Sequence, residues 1–132
     1  MILVDTNILV DIFAKDPLWE ERSLDAIEVA GAREQLAIND IIYAELSPGF
    51  DQMAGLDDAL ARTGVTIVGL PKPALFSAGQ AYRRYRRQRG TKNNVLADFF
   101  IGAHAAVAGA ALLTRDPRRI AAYFPSVAII AP

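Results

Sequence analysis

The sequence contains no cysteine. That absence excludes disulfide bridges, thiolate zinc sites and thiol catalysis, and it fits a reducing cytoplasm. Net charge is nearly absent as well: 14 Lys and Arg against 15 Asp and Glu leave −1. No global basic field therefore attracts a polyanion, and any nucleic-acid binding has to come from a local patch. Long hydrophobic runs are missing too. The longest apolar tract, residues 99–113, contains His104 and falls short of the roughly 20 residues of a membrane span, so no membrane partner is expected. Asp5 interrupts the first apolar run too early for a signal peptide. There is no internal repeat, low-complexity segment or interdomain linker, and residues 1–132 read as a single domain. With 52% hydrophobic and 22% charged residues, the composition is that of a globular protein.

The pattern along the chain alternates strands and helices. Ile2 to Val4 is a short apolar run that reads as a buried parallel strand delivering Asp5 to the carboxyl edge of a sheet. Thr6 or Asn7 is placed to cap a helix over 8–14. Asp16-Pro17 predicts the start of a longer helix to about Ala30, with Leu24, Ile27 and Ala30 or Gly31 inward. Further strands are expected over 35–38, 65–68, 110–113 and 127–130. The intervening helices are expected over 40–46, 51–62, 74–89, 95–108 and a short stretch to Tyr123, the first of them capped by Asn39-Asp40. This alternation predicts an α/β fold of three layers, α/β/α, around a mainly parallel sheet of four to five strands.

Four acids then fall near one sheet edge. Asp5 ends the first strand, Glu45 lies on the helix after the second, Asp98 opens the Ala-rich helix, and Asp116 follows the fourth strand within Thr114-Arg115-Asp116. Carboxylates held together repel and take up protons unless a cation intervenes. Oxygen-only ligands suit Mg²⁺ or Mn²⁺, which retain waters and accept phosphate oxygens. Such a centre can activate a water and stabilise a phosphoryl group.

Asp5-Thr6-Asn7 after an apolar strand, the isolated Glu45, Ala97-Asp98 leading a helix with Ile101, Ala103 and Ala105, and Leu113-Thr114-Arg115-Asp116 together resemble the PIN domain. Within it, size and spacing are similar to the VapC toxins of bacterial toxin–antitoxin pairs. The resemblance covers Ile2 to Ile130. It implies a Mg²⁺- or Mn²⁺-dependent endoribonuclease acting on an RNA substrate and held inactive by a cognate antitoxin protein, with homodimerisation expected. It also implies that Asp5, Glu45, Asp98 and Asp116 line the metal site, supported by Thr114. Asp5 and Asp98 are then assigned as direct ligands, with Glu45 and Asp116 ligating through water or orienting the attacking water. The chain departs from many relatives in carrying Thr91-Lys92-Asn93-Asn94 where another acid often precedes the Asp98 position.

Each residue also has a plainer reading. Asp5 could be a helix cap, Glu45 a solvated helix residue, and Asp116-Pro117 a cap with a first-turn proline. Asp98 among Ala97, Phe99 and Phe100 is costly unless it caps the helix or is bound to something. His104 reads as packing or surface, Asp16 and Asp40 as caps, and Asp11 as a helix-surface acid. Arg83, Arg84, Arg86, Arg87 and Arg89 exceed what a helix dipole needs and suit phosphate recognition; Tyr82 and Tyr85 beside them are close enough to stack on bases, but read more readily as core. Phe13, Leu18 and Trp19 suit either core or a partner interface. A phosphatase using Asp5 as nucleophile would want a second acid where Asn7 stands. A non-catalytic PIN-like module, whose acids hold a partner's arginine or which only binds RNA, is the alternative of a different class.

Overall fold

Three apolar residues near the N-terminus form the middle of the sheet. β1 (Ile2–Val4) is buried along its whole length, as an inner parallel strand covered on both faces must be. It pairs with β2 (Leu36–Ile38) on one side and β4 (Ala111–Leu113) on the other. β3 (Thr66–Ile67) and β5 (Ile129–Ile130) complete a five-stranded sheet in the order β3-β2-β1-β4-β5, with every pair parallel. The computed structural model describes residues 1–88, 90 and 95–132; Arg89 and the expected loop and cap over 91–94 lie outside the described residues.

α1 (Thr6–Phe13) and α2 (Glu20–Gly31) join β1 to β2, and α3 (Asp40–Leu46) and α4 (Met53–Thr63) join β2 to β3. α5 (Lys72–Arg87) and α6 (Leu96–Ala108) lead back to β4, and α7 (Arg118–Tyr123) leads to β5. The chain thus runs outward from β1 to β3 and then returns to the opposite side of β1. Right-handed crossovers in opposite directions place their helices on opposite faces, which yields the three layers. The same reversal opens a crevice outside the carboxyl ends of β1 and β4.

Local chemistry sets the element ends, and here several expectations are corrected. Asp5 itself, with extended backbone, caps α1 by accepting the Thr6 N–H at 2.7 Å, in place of Thr6 or Asn7. Asn39 alone caps α3, accepting the Ile42 N–H at 3.0 Å; Asp40 is already in the first helical turn. Asp16 does accept the Leu18 and Trp19 amides, at 2.9 and 3.0 Å. One oxygen gathering both amides closes a tight turn, and α2 begins only at Glu20. Its buried stripe is Ser23, Ile27 and Ala30, with Leu24 turned to solvent, because Ser23 Oγ donates inward to Asp11.

α5 buries Ala74, Ala78 and Ala81, small residues that allow its close packing on α6, while Leu75 is exposed. β3 is a two-residue exposed edge strand, not the buried strand expected over 65–68. Only Val65 of that run is buried, because the outer side of an edge strand has no neighbour to cover it. Gly102 sits where α6 meets the end of α7, and a Cβ there would lie 2.5 Å from Phe124 Cδ2. Gly109, at φ +63°, ends α6 in the left-handed conformation that L side chains disfavour. Tyr82 and Tyr85 pack with Phe99, and Phe99 with Tyr123 and Phe124, so both tyrosines belong to the core as expected. Phe13 packs edge-on against Phe50, while Leu18 is exposed.

Candidate active site

Asp5, Glu45, Asp98 and Asp116 come from four separate elements, yet all four line a single cleft of about 300 Å³ at the crevice beside β1 and β4. Asp5 is carried on the end of β1, whose amide continues the ladder by donating to Leu113 O at 2.9 Å. Asp98 stands in the first turn of α6 and Glu45 near the end of α3. Thr6, Asn7, Arg115 and Arg119 also line the cleft.

A hydrogen-bond network ties the two central strand ends together. Thr114, fully buried, donates its hydroxyl to Asp5 Oδ2 at 2.7 Å. The same hydroxyl oxygen accepts from the Asp116 amide at 3.1 Å and from Asn7 Nδ2 at 3.2 Å. Asn7 Nδ2 also reaches Asp5 Oδ2 at 3.3 Å, and Asn7 Oδ1 accepts the Arg115 amide at 3.1 Å. Thr6 Oγ1 donates to Glu45 Oε1 at 2.5 Å. Thr114 thus stands behind the acids and orients them, while Thr6 and Asn7 link the α1 start to Glu45 and to the loop after β4.

The electrostatics of the cleft are uneven. Burial pushes the Asp5 carboxyl up to about 6; the bonds from Thr114 and Thr6 oppose this, and the neighbouring charges of Asp98 and Glu45 add to it. Arg119 Nη1 donates to Asp98. Arg118 Nε donates to Asp116 at 3.2 Å and holds that carboxyl below its ordinary value. Asp116 does not hold the N-cap position expected from Asp116-Pro117, which Pro117 occupies, although the Arg118 amide at the start of α7 also helps to lower its pKa. Among the described residues, neither Asp5 nor Glu45 has an ion-pair partner.

Among the described residues, no three His, Cys, Asp or Glu side chains form a ready-made ligand set for a metal ion. The donor chemistry nevertheless fits an ion held by one or two carboxylates with water and phosphate oxygens completing its shell. All four acids offer oxygen only, and the crowding of charge around Asp5 is what a divalent cation relieves.

One sequence expectation is overturned here and another is narrowed. Asp11 is not a surface acid: it is 1% exposed, because α1 turns it toward Ser23 and Arg115. His104, left as either packing or surface, is buried with Nδ1 3.1 Å from Asn39 Nδ2. Burial lowers its pKa against the opposing charge of Asp40. Arg115 and Arg119 are cleft residues that sequence reasoning did not single out. Arg115 lies inside the Thr-Arg-Asp motif, a signal that was available; Arg119 has no motif. Arg83, Arg84, Arg86 and Arg87 are exposed on the end of α5. No described helix is long and apolar enough to cross a membrane.

A PIN-domain family model matches residues 2–125. No curated protein sequence matches the chain significantly. Among solved structures, the chain is similar to one in VapBC2 from Rickettsia felis bound to a promoter DNA fragment, with TM-score 0.75, 21% identity, and 99% of this chain and 98% of that one covered. It is also similar to one in VapBC-1 from nontypeable Haemophilus influenzae, with TM-score 0.73, 20% identity and coverage of 99% and 98%. A toxin–antitoxin complex from Klebsiella pneumoniae gives TM-score 0.70, 23% identity and coverage of 98% and 96%. At these identities the likeness is one of fold.

Proposed function

This chain belongs to the PIN-domain family, and on that premise we propose that it is a divalent-metal-dependent endoribonuclease and the toxin of a toxin–antitoxin pair. The observation that carries the reading is the convergence of Asp5, Glu45, Asp98 and Asp116 on one cleft at the switch point of a parallel sheet. Asp5 and Asp98 would hold Mg²⁺ or Mn²⁺, with Glu45 and Asp116 bonded to waters of the site. The ion would supply Lewis-acid polarisation of the scissile phosphate and a water acidic enough to attack at neutral pH. Thr114 fixes the Asp5 carboxylate through its 2.7 Å bond. Glu45, which Thr6 anchors, would orient the attacking water and accept its proton. A cognate antitoxin partner, a homodimer and a cytoplasmic location belong to the same proposal, supported by the fold likeness to chains of toxin–antitoxin assemblies.

The test is cleavage of a mixed RNA pool by the isolated chain, with Mg²⁺ or Mn²⁺, with EDTA, and with Asp98→Asn alongside. Metal-dependent cutting, lost in a variant that melts like wild type, is the expected result. Equal cutting by Asp98→Asn refutes the site assignment. One observation favours a second reading: Asp98 already accepts a guanidinium, that of Arg119, as it would in a module that only binds an arginine-bearing partner. A folded, metal-binding sample that cuts no RNA in the pool would select that reading.

A further inference from the structure

Arg115 is held more firmly than neutralising a buried acid requires. Its Nε donates to Asp11 Oδ2 and its Nη2 to Asp11 Oδ1, both at 2.8 Å. Asp11 is itself fixed by Ser23 Oγ at 2.8 Å. The Arg115 guanidinium lies 4.9 Å from the centroid of the Trp19 ring, on which Arg22 also rests at 4.5 Å. At the other end of the residue, its amide is bonded to Asn7. Despite these ties, the Arg115 side chain stays 30% exposed and lines the acidic cleft.

A guanidinium carries five N–H donors, and the two bonds to Asp11 leave the others unclaimed by that carboxylate. Asp5 and Glu45, which have no ion-pair partner among the described residues, repel an approaching RNA strand, and a cleft cation aimed at the strand offsets that repulsion whether or not a metal ion is bound. Arg119 is engaged by Asp98 inside the cleft. Arg115 is the lining cation whose partner, Asp11, is not among the residues that line the cleft. We propose that Arg115 is the phosphate anchor of the cleft: its plane is set by Asp11 and Trp19, and its remaining donors bind a phosphodiester oxygen of the RNA beside the acids. A fork already immobilised in this way loses little conformational freedom on binding. Asp11 and Trp19 are then positioning residues. The inference rests on the nuclease reading for the identity of the strand.

The experiment is binding of a short, fluorescently labelled mixed-sequence RNA in EDTA, over a series of salt concentrations, with cleavage measured separately in Mg²⁺. The double variant Asp11→Asn/Arg115→Gln removes both charges together, so neither is left buried and alone, and its melting curve reports folding. Expected is a roughly tenfold weaker Kd, about 1.4 kcal/mol, and a salt dependence shallower by about 0.7 in log Kd per log salt, the share of one phosphate on a single strand. Arg115→Lys, which keeps the charge without the fork, should retain most of the slope and bind with intermediate affinity. A purely structural Arg115 would leave affinity and slope at wild-type values in both variants, and that result overturns the proposal. An Arg115-dependent slope in a chain that cuts nothing with Mg²⁺ would uphold the anchor while refuting the nuclease.

Discussion

In the metal-free protein, Asp5→Asn should make the chain more stable at neutral pH. Burial pushes the Asp5 carboxyl up to about 6 in the folded state, from an ordinary aspartate value of 3.8, a difference of roughly 2. At 1.36 kcal/mol per unit, holding its charge in the cleft costs about 3 kcal/mol once the pH exceeds both values. Because the folded pKa is the higher one, the folded state binds the proton more tightly. The stabilisation is complete below about 4 and is lost as pH rises through about 6. An amide cannot ionise, but it gives up a carboxylate that accepts from Thr6, Asn7 and Thr114. Allowing for that, the net gain above pH 7 should be about 1–2 kcal/mol, or roughly 3–8 °C in Tm for a domain of this size. Urea unfolding of both proteins in EDTA, repeated from pH 4 to 8, isolates the effect, since the other titrating groups largely cancel in the difference. The difference should favour the variant increasingly between about pH 4 and 6 and be level beyond. A difference that does not change with pH would show that the acids do not burden the empty cleft.

The Asp11–Arg115 pair should respond asymmetrically. Arg115→Gln leaves the buried Asp11 charge uncompensated and should cost about 3–5 kcal/mol, whereas Asp11→Asn leaves a partly exposed guanidinium that water can reach and should cost about 1–2 kcal/mol; urea midpoints decide, and the reverse order would refute this account. Gly102→Ala puts a methyl group against Phe124 and Ile120 side chains of the α7 end, and should cost about 1–3 kcal/mol in thermal denaturation through overpacking.

Much of this architecture is visible in local sequence, for reasons that differ from element to element. Inner strands such as 2–4 and 110–113 declare themselves because burial on both faces demands an unbroken apolar run. The four acids are legible because each follows or opens an element at the same edge, and the parallel order of the strands then brings them together. What fails is whatever depends on a partner far along the chain. Asp11 looks like a surface acid within an eight-residue helix, and its burial is explained by Ser23 in the next helix and by Arg115, 104 positions away. Arg119 engages Asp98 across the α6–α7 junction, which no spacing announces. The 65–68 run has the composition of an inner strand, but nothing in its residues says that it sits at the sheet's edge. Asp16-Pro17 carries a proper helix-start signal, which the turn at Leu18 and Trp19 satisfies before any helix forms.

The central place of β1 has a consequence for how the protein comes into being. β1 must wait for β4 before its neighbours on both sides exist, since Asp5 and its Thr114 partner are 109 residues apart. Such long-range pairing slows folding and leaves an unsatisfied strand edge on the emerging chain. It also means that the cleft cannot assemble on a nascent chain that has not yet released β4 and the residues after it. Whatever chemistry the acids perform is withheld from a copy whose synthesis has not passed Asp116.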